Sequence, residues 1–260
     1  MAERPVLLLT NDDGIQAKGL SVLRQALLPL GHVVVVAPAH EQSASSHAIT
    51  LDRPLRHVAH ATDVHSIDGT PADCVYLGLF EERFLPRRPD AVISGINHGV
   101  NLGTSVYYSG TVAGAREAAL RGIPSMAFSK NGDIELPWIP SLVADMVERL
   151  LRAEKPASHS LLMNVNFPEE TPAGIKVARV GRHVYEESIV PRVDPGGREY
   201  FWIGGRVADY GQVEDSDKRA VDAGYVSVTP LALEPTADEH LDVAAYIAGP
   251  DAVAAATSKS

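Results

Sequence analysis

The sequence predicts an α/β protein: a Rossmann-like, doubly wound, mostly parallel sheet extended by a C-terminal β-hairpin arm. Three observations predict it. Short apolar runs such as "PVLLLT", "HVVVVAP" and "DAVISGIN" are continuous rather than alternating, as expected of parallel strands covered on both faces. Segments of helical period separate them, and that alternation implies right-handed βαβ units. After about residue 180 the pattern changes to Gly, Pro, charge and β-formers, as in "RVDPGGREYFWIGG".

In chain order, "PVLLLT" reads as a buried strand, and "GLSVLRQALLPLG" as an amphipathic helix ended by Pro29 and Gly31. "HVVVVAP" is the second strand. The stretch holding His57, His60 and His65 reads as a polar, solvated connection. "DCVYLGLFEERF" reads as a helix and "DAVISGIN" as another buried strand. "SGTVAGAREAALRG" is a helix with polar residues at its head and Gly122 at its end, "IPSMAFSK" a strand, and "WIPSLVADMVERLLRAE" a long helix. Asp194 to Gly197 are expected to turn a hairpin with Tyr200–Ile203 as its return strand. The charged "EDSDKR" reads as a solvated loop or helix start, "GYVSVTPLAL" as a strand and "HLDVAAYIAG" as a helix. The expected organisation is a catalytic core over 1–180, an arm over 181–224 serving oligomerisation, and a subunit-contacting or swapped strand and tail over 225–260.

Bulk properties narrow the function. The chain has 260 residues, 45% of them hydrophobic, with 23 basic against 33 acidic side chains and a net charge of -10. Such a balance argues against a nucleic-acid polymer or an anionic membrane as partner. The single Cys74 excludes an intramolecular disulfide and a cysteine-rich zinc site, and its apolar neighbours make it a packed core thiol. No apolar run approaches the roughly 18 residues of a bilayer span, and "MAERPV" lacks a signal pattern, so a cytoplasmic enzyme is the expectation.

Ligands of an open parallel sheet bind beyond the carboxyl ends of its strands. The segments leaving those ends here are "TNDDG", "APAHEQSASSH" and "SGINHGVNLG", which supply carboxylates, hydroxyls and carboxamides. These are the oxygen donors that hard cations prefer. Adjacent carboxylates such as Asp12 and Asp13 repel one another, and burial is costly unless positive charge compensates them. In "YYSGTVAGAREA", Ser109, Gly110 and Thr111 stand where a helix begins, with unpaired N–H groups and the positive dipole end outward. A divalent cation beside an anion site at a helix end suits phosphate-ester chemistry. His47 and His98 lie in loops near this edge and are read as ordinary loop histidines.

These segments, together with "GTPADCVYLG", "NVNFP" and "AV..GYVSVTPL", resemble in content and order the SurE proteins, the survival-protein 5'/3'-nucleotidases, from Val6 to about Leu231. The resemblance implies that Asp12, Asp13, Ser43 and Asn97 ligate one Mg²⁺ or Mn²⁺ per subunit, with Asp12 and Asp13 also catalytic. It implies that Asn101, Ser109, Gly110 and Thr111 face phosphate. The implied reaction is hydrolysis of nucleoside 5'- and 3'-monophosphates to nucleoside and phosphate by a metal-activated water, in a homodimer or homotetramer. Short polyphosphate is an alternative substrate, and a non-catalytic nucleotide sensor is the alternative function. Ala39 and His40 after "AP", the neutral "NLGTS" and Ala118 after Glu117 depart from the commoner family pattern; none falls on an implied ligand.

Other phosphate and metal enzymes fail on named residues. A haloacid-dehalogenase-type phosphatase would place its nucleophile at Asn11, where an amide cannot form an acyl-phosphate. A zinc deacetylase needs a histidine where Thr10 and Asn11 stand. The G-x-G-x-x-G of a dinucleotide-binding turn is absent after the first strand.

Overall fold

The computed structural model describes residues 4–154, 160–182, 184–208 and 213–248. The chain opens with β1 (Val6–Thr10), α1 (Lys18–Leu27) and β2 (His32–Pro38). A hairpin comes next, β3 (His57–Ala61) and β4 (Val64–Ile67), then α2 (Pro71–Phe80), β5 (Ala91–His98), α3 (Gly110–Leu120), β6 (Ser125–Lys130), α4 (Trp138–Arg152) and β7 (Leu162–Phe167). The remainder comprises β8 (Ile175–Val177), β9 (Val184–Val193), β10 (Glu199–Ala208), α5 (Asp217–Asp222), β11 (Val226–Pro230) and α6 (Leu241–Ala248).

Nine strands form one sheet in the order β3-β4-β2-β1-β5-β6-β7-β11-β8. The run from β4 to β7 is parallel throughout; β3 and β11 add antiparallel edges, and β8 pairs parallel with β11. Alternate residues of each central strand enter opposite layers. Leu7, Leu9, Val33, Val35 and Ile93 pack with Leu20 and Leu23 of α1 and Ile139 and Val143 of α4. Leu8, Val34, Val36 and Val92 pack with Cys74 and Val75 of α2 and Ala118 of α3. Cys74 is fully buried, and burial pushes its thiol well above the ordinary pKa, as a packed core thiol requires.

Local chemistry fixes the helix starts that matter. Thr70 and Asp73 close a capping box at α2, with Pro71 in the first turn. Ser109 Oγ accepts from Val112 N and caps α3, and Gly122 takes φ +74° just past its end. α1 lies unusually close to β5: a Cβ on Gly19 would stand 1.9 Å from the Ile96 carbonyl oxygen.

One sequence expectation needs correction in part: the His57–His65 stretch forms the β3–β4 hairpin, in which His57 and His60 are exposed as expected but His65 is only 7% exposed. Its ring lies 5.1 Å from His57 and 5.0 Å from Phe84, whose loop arrives from beyond α2. The "EDSDKR" run holds the helix start expected of it, α5 capped by Ser216. Asp217 is fully buried because its carboxylate accepts from Gly103 N and Gly181 N, each of which would otherwise lack a partner there.

The arm forms as a separate two-stranded sheet, β9 antiparallel to β10 with ten paired positions. Asp194 organises its turn: Oδ1 accepts from Gly196 N and Arg198 N, and Gly197 takes φ +79°.

Candidate active site

The strand order reverses between β1 and β5, because the chain moves outward from β1 to β2 and β4 before returning to β1's other side. That reversal opens a crevice at the carboxyl ends of β1 and β5. Asp12 and Asp13 leave β1 there, Asn97 and His98 end β5, and α3 begins beside them.

Asp12 is 4% exposed, and among the described residues no basic side chain pairs with it. Burial is the main influence on its carboxyl, with Asp13 adding repulsion and hydrogen bonds from Thr111 acting in the opposite direction; the result is a pKa raised to about 6. Thr111 Oγ1 donates to Asp12 Oδ1, and the Thr111 backbone N–H points at the same side chain. The first turn of α3 is therefore turned toward Asp12, and its dipole favours the ionised form. Gly110 makes this approach feasible, since a Cβ there would fall 2.8 Å from Asp12 Cβ and 2.9 Å from Ser45 Oγ.

Asp13 is half-buried, and its carboxyl is also raised, chiefly by burial, although His98 N donates to its Oδ2 at 3.1 Å. Asn97 Nδ2 donates to Gly99 O at 2.6 Å, a bond that fixes the amide and turns Oδ1 away from that contact. Ser43 is exposed, with its hydroxyl donating to Glu41 Oε1 at 2.7 Å. Asp12, Ser43, Asn97, Asn101 and Ser109 line one cavity of about 370 Å³, together with Tyr108. Asp13, Glu41 and Lys18 line a second of about 490 Å³, and Ser43 and His98 border both.

The structure also shows features at this edge that sequence reasoning did not single out. Ser45 Oγ is buried without a hydrogen-bond partner beside Gly110 and Asp12, as are Thr10 Oγ1 and Asn11 Oδ1. Such unpaired polar atoms are unusual in a folded interior and concentrate where a ligand completes them. Asn101 has most of its polar groups committed to the protein. Its backbone N donates to Asn166 Oδ1, its carbonyl accepts from Asn164 and Asn166, and its Nδ2 donates to Ser129 Oγ. The two asparagines of "NVNFP", two apart on β7 and so on one face, thereby hold the loop that leaves β5. In the sequence they were signalled by that spacing and by the place of "NVNFP" among the motifs of the resemblance.

Comparison with known proteins identifies the family. The family model described as "Survival protein SurE" matches residues 7–187. The 5'-nucleotidase SurE of Sorangium cellulosum is 47% identical over 251 residues, covering 94% of this chain and 96% of that protein. The 5'-nucleotidase SurE of Deinococcus radiodurans is 46% identical over 245 residues, covering 90% and 89%. The crystal structure of the SurE protein from Aquifex aeolicus superposes with a TM-score of 0.81 at 40% identity, covering 94% of this chain and all of that one. The chain belongs to the SurE family.

Proposed function

We propose that the protein is a divalent-metal-dependent phosphomonoesterase that hydrolyses nucleoside 5'-monophosphates, and 3'-monophosphates, to nucleoside and phosphate. The family and its curated nucleotidases support the reaction class. The observation that carries the site is Asp12, a buried carboxylate without a basic partner, set against Asp13 and aimed into a cavity rimmed by Ser and Asn oxygens.

The donors fit a hard divalent cation. Among the described residues no three His, Cys, Asp or Glu side chains converge, so the two carboxylates are completed by neutral oxygens, as Mg²⁺ and Mn²⁺ accept. Asp12, Asp13, Ser43 and Asn97 are the residues to hold it, one ion per subunit. When bound, such an ion polarises a phosphoryl oxygen and acidifies water. The protein supplies the rest. Thr111 fixes the Asp12 carboxylate, leaving Ser109, Gly110 and the held Asn101 loop to position phosphate oxygens. Asp13, the more accessible carboxylate, accepts the proton of the attacking water at its free oxygen.

The arm supports a homo-oligomer. Ile189, Val193, Phe201, Trp202 and Ile203 are all exposed on it, and a second copy of the chain is the fitting cover. In this reading residues 1–180 act as the catalytic core, 181–224 as the oligomerisation arm and 225–260 as a further subunit contact.

Phosphate release from a panel of nucleoside monophosphates, measured with Mg²⁺, with Mn²⁺ and with chelator, tests the reading. Release with metal and none in chelator is expected. Nucleotide binding without turnover in either metal would make the protein a sensor instead.

A further inference from the structure

The loop that carries Ser43 runs from Ala39 to Thr50 without regular structure, and it bends through two non-glycine residues in the left-handed region, Ala44 at φ +56° and Ser46 at φ +53°. Such conformations persist only where surrounding contacts dictate them. The contacts converge on α3 and the turn that precedes it. Ser46 N donates to Tyr108 O at 3.0 Å, and Ser46 Oγ to Tyr107 O at 2.7 Å. One residue on, His47 Nε2 meets Glu117 Oε2 at 2.9 Å. A carboxylate only accepts, so Nε2 carries the proton in this contact.

Glu117 is placed to hold that contact firmly. Its side chain is 4% exposed, and Arg121 Nε donates to its other oxygen at 2.9 Å. Burial pushes its carboxyl upward, yet the bonds from His47 and Arg121 outweigh that and leave it below the usual glutamate value. The Arg121 guanidinium in turn lies 5.4 Å from the Tyr76 ring centroid and 5.6 Å from that of Phe80. Neither His47 nor Glu117 lines the cavity that holds Asp12. Their contact nevertheless fastens the serine loop to the helix whose first turn fixes Asp12 through Thr111.

We propose that His47 and Glu117 are positioning residues that set Ser43 relative to Asp12, so that one helix, α3, aligns both halves of the cation site. This rests on the proposed function, in which Asp12 and Ser43 share a divalent cation. Residues that orient metal ligands without touching the metal typically change affinity by about 10–100-fold when lost.

The test is Mn²⁺ binding by titration calorimetry, without substrate, for wild type, His47→Ala, His47→Gln and Asp12→Asn, with thermal unfolding of each in chelator. Wild type is expected to bind Mn²⁺ and Asp12→Asn to lose it. His47→Ala should bind about tenfold more weakly, with an unfolding temperature close to wild type. His47→Gln, whose amide nitrogen reaches much as Nε2 does, should recover binding to within a few-fold. A purely structural contact would lower the unfolding temperature and leave Mn²⁺ binding as it was, and that result overturns the proposal. So does His47→Gln binding as weakly as His47→Ala. If His47→Ala does not fold, Glu117→Gln removes the charge from the same contact, and unchanged Mn²⁺ binding there overturns the proposal equally. Equal binding by wild type and Asp12→Asn is a different failure, because it removes the cation site itself.

Discussion

The crevice at the ends of β1 and β5 and the β9–β10 arm spend their stability in opposite ways. The arm obeys local rules throughout: paired strands, an aspartate-organised turn, and a glycine where φ is positive. What it leaves unsolved is tertiary, since Phe201, Trp202 and Ile203 remain exposed at 62%, 65% and 91%. The crevice has the reverse profile. Its framework is buried and tightly packed, yet locally it breaks rules, with a buried carboxylate lacking a basic partner, unpaired hydroxyls and two left-handed non-glycine residues. Rule-breaking held by a rigid surround marks a site, whereas regular structure with exposed apolar surface marks a contact face.

The sharpest way to break this contrast is Asp12→Asn. Phosphate release should fall by about 10²–10³-fold, the scale of a lost transition-state stabiliser. Stability should move the other way. The folded pKa of about 6 lies above the ordinary 3.8, so between about pH 4 and pH 6 the folded chain binds more protons than the unfolded one. The contribution of Asp12 to the unfolding free energy of the metal-free protein therefore falls as pH rises through that window, by about 2–3 kcal/mol. Urea titrations in chelator at pH 4.5 and pH 7.5 should show wild type losing stability relative to Asp12→Asn as pH rises. An identical pH dependence in wild type and Asp12→Asn would mean Asp12 is compensated within the protein, and the crevice would no longer stand apart from the arm.

Gly110→Ala comes next. The new Cβ would meet Asp12 and Ser45 within 3.0 Å, and an ångström of displacement at a reacting centre is worth about a hundredfold in rate. Alanine is the better helix former and offsets part of the crowding, so the loss should be larger in turnover than in stability. Gly19→Ala probes the framework instead. Its Cβ has only the Ile96 backbone to push against, and overpacking of this kind costs about 1–3 kcal/mol, readable by urea unfolding.

Much of this was legible in the sequence, for physical reasons that differ by element. β1 and β2 carry unbroken apolar runs, and β5 and β6 largely apolar ones, because both faces of a central parallel strand are covered, and that signature needs no partner to be recognised. The β3–β4 hairpin has no such signature. His57 and His60 are as exposed as their polar surroundings suggest, but His65 is buried, with Phe84, folded in from beyond α2, edge-on to its ring. Lys130 was hidden in the same way: a lysine ending a strand reads as exposed, but it is fully buried because Asn131 O and Glu169 O accept from its Nζ. At the crevice, Asp12 and Asp13 announce themselves by charge repulsion. Ser45 does not, since nothing in "SASSH" says which serine α3 will cover.

The arm gives the smallest expected effect on stability and the clearest one on mass. Trp202→Ser and Phe201→Ser replace exposed side chains in a sheet that packs apart from the nine-stranded one, so the unfolding free energy of the core should change by less than about 0.5 kcal/mol. If a second copy covers this face, sedimentation of the double variant should show a smaller particle than wild type, while phosphate release per subunit is kept. Should mass hold and turnover drop, the exposed aromatics would belong to the crevice after all, reaching it from a neighbouring subunit. The two regions would then be one site divided between chains, with the apolar surface of the arm forming part of the substrate's enclosure.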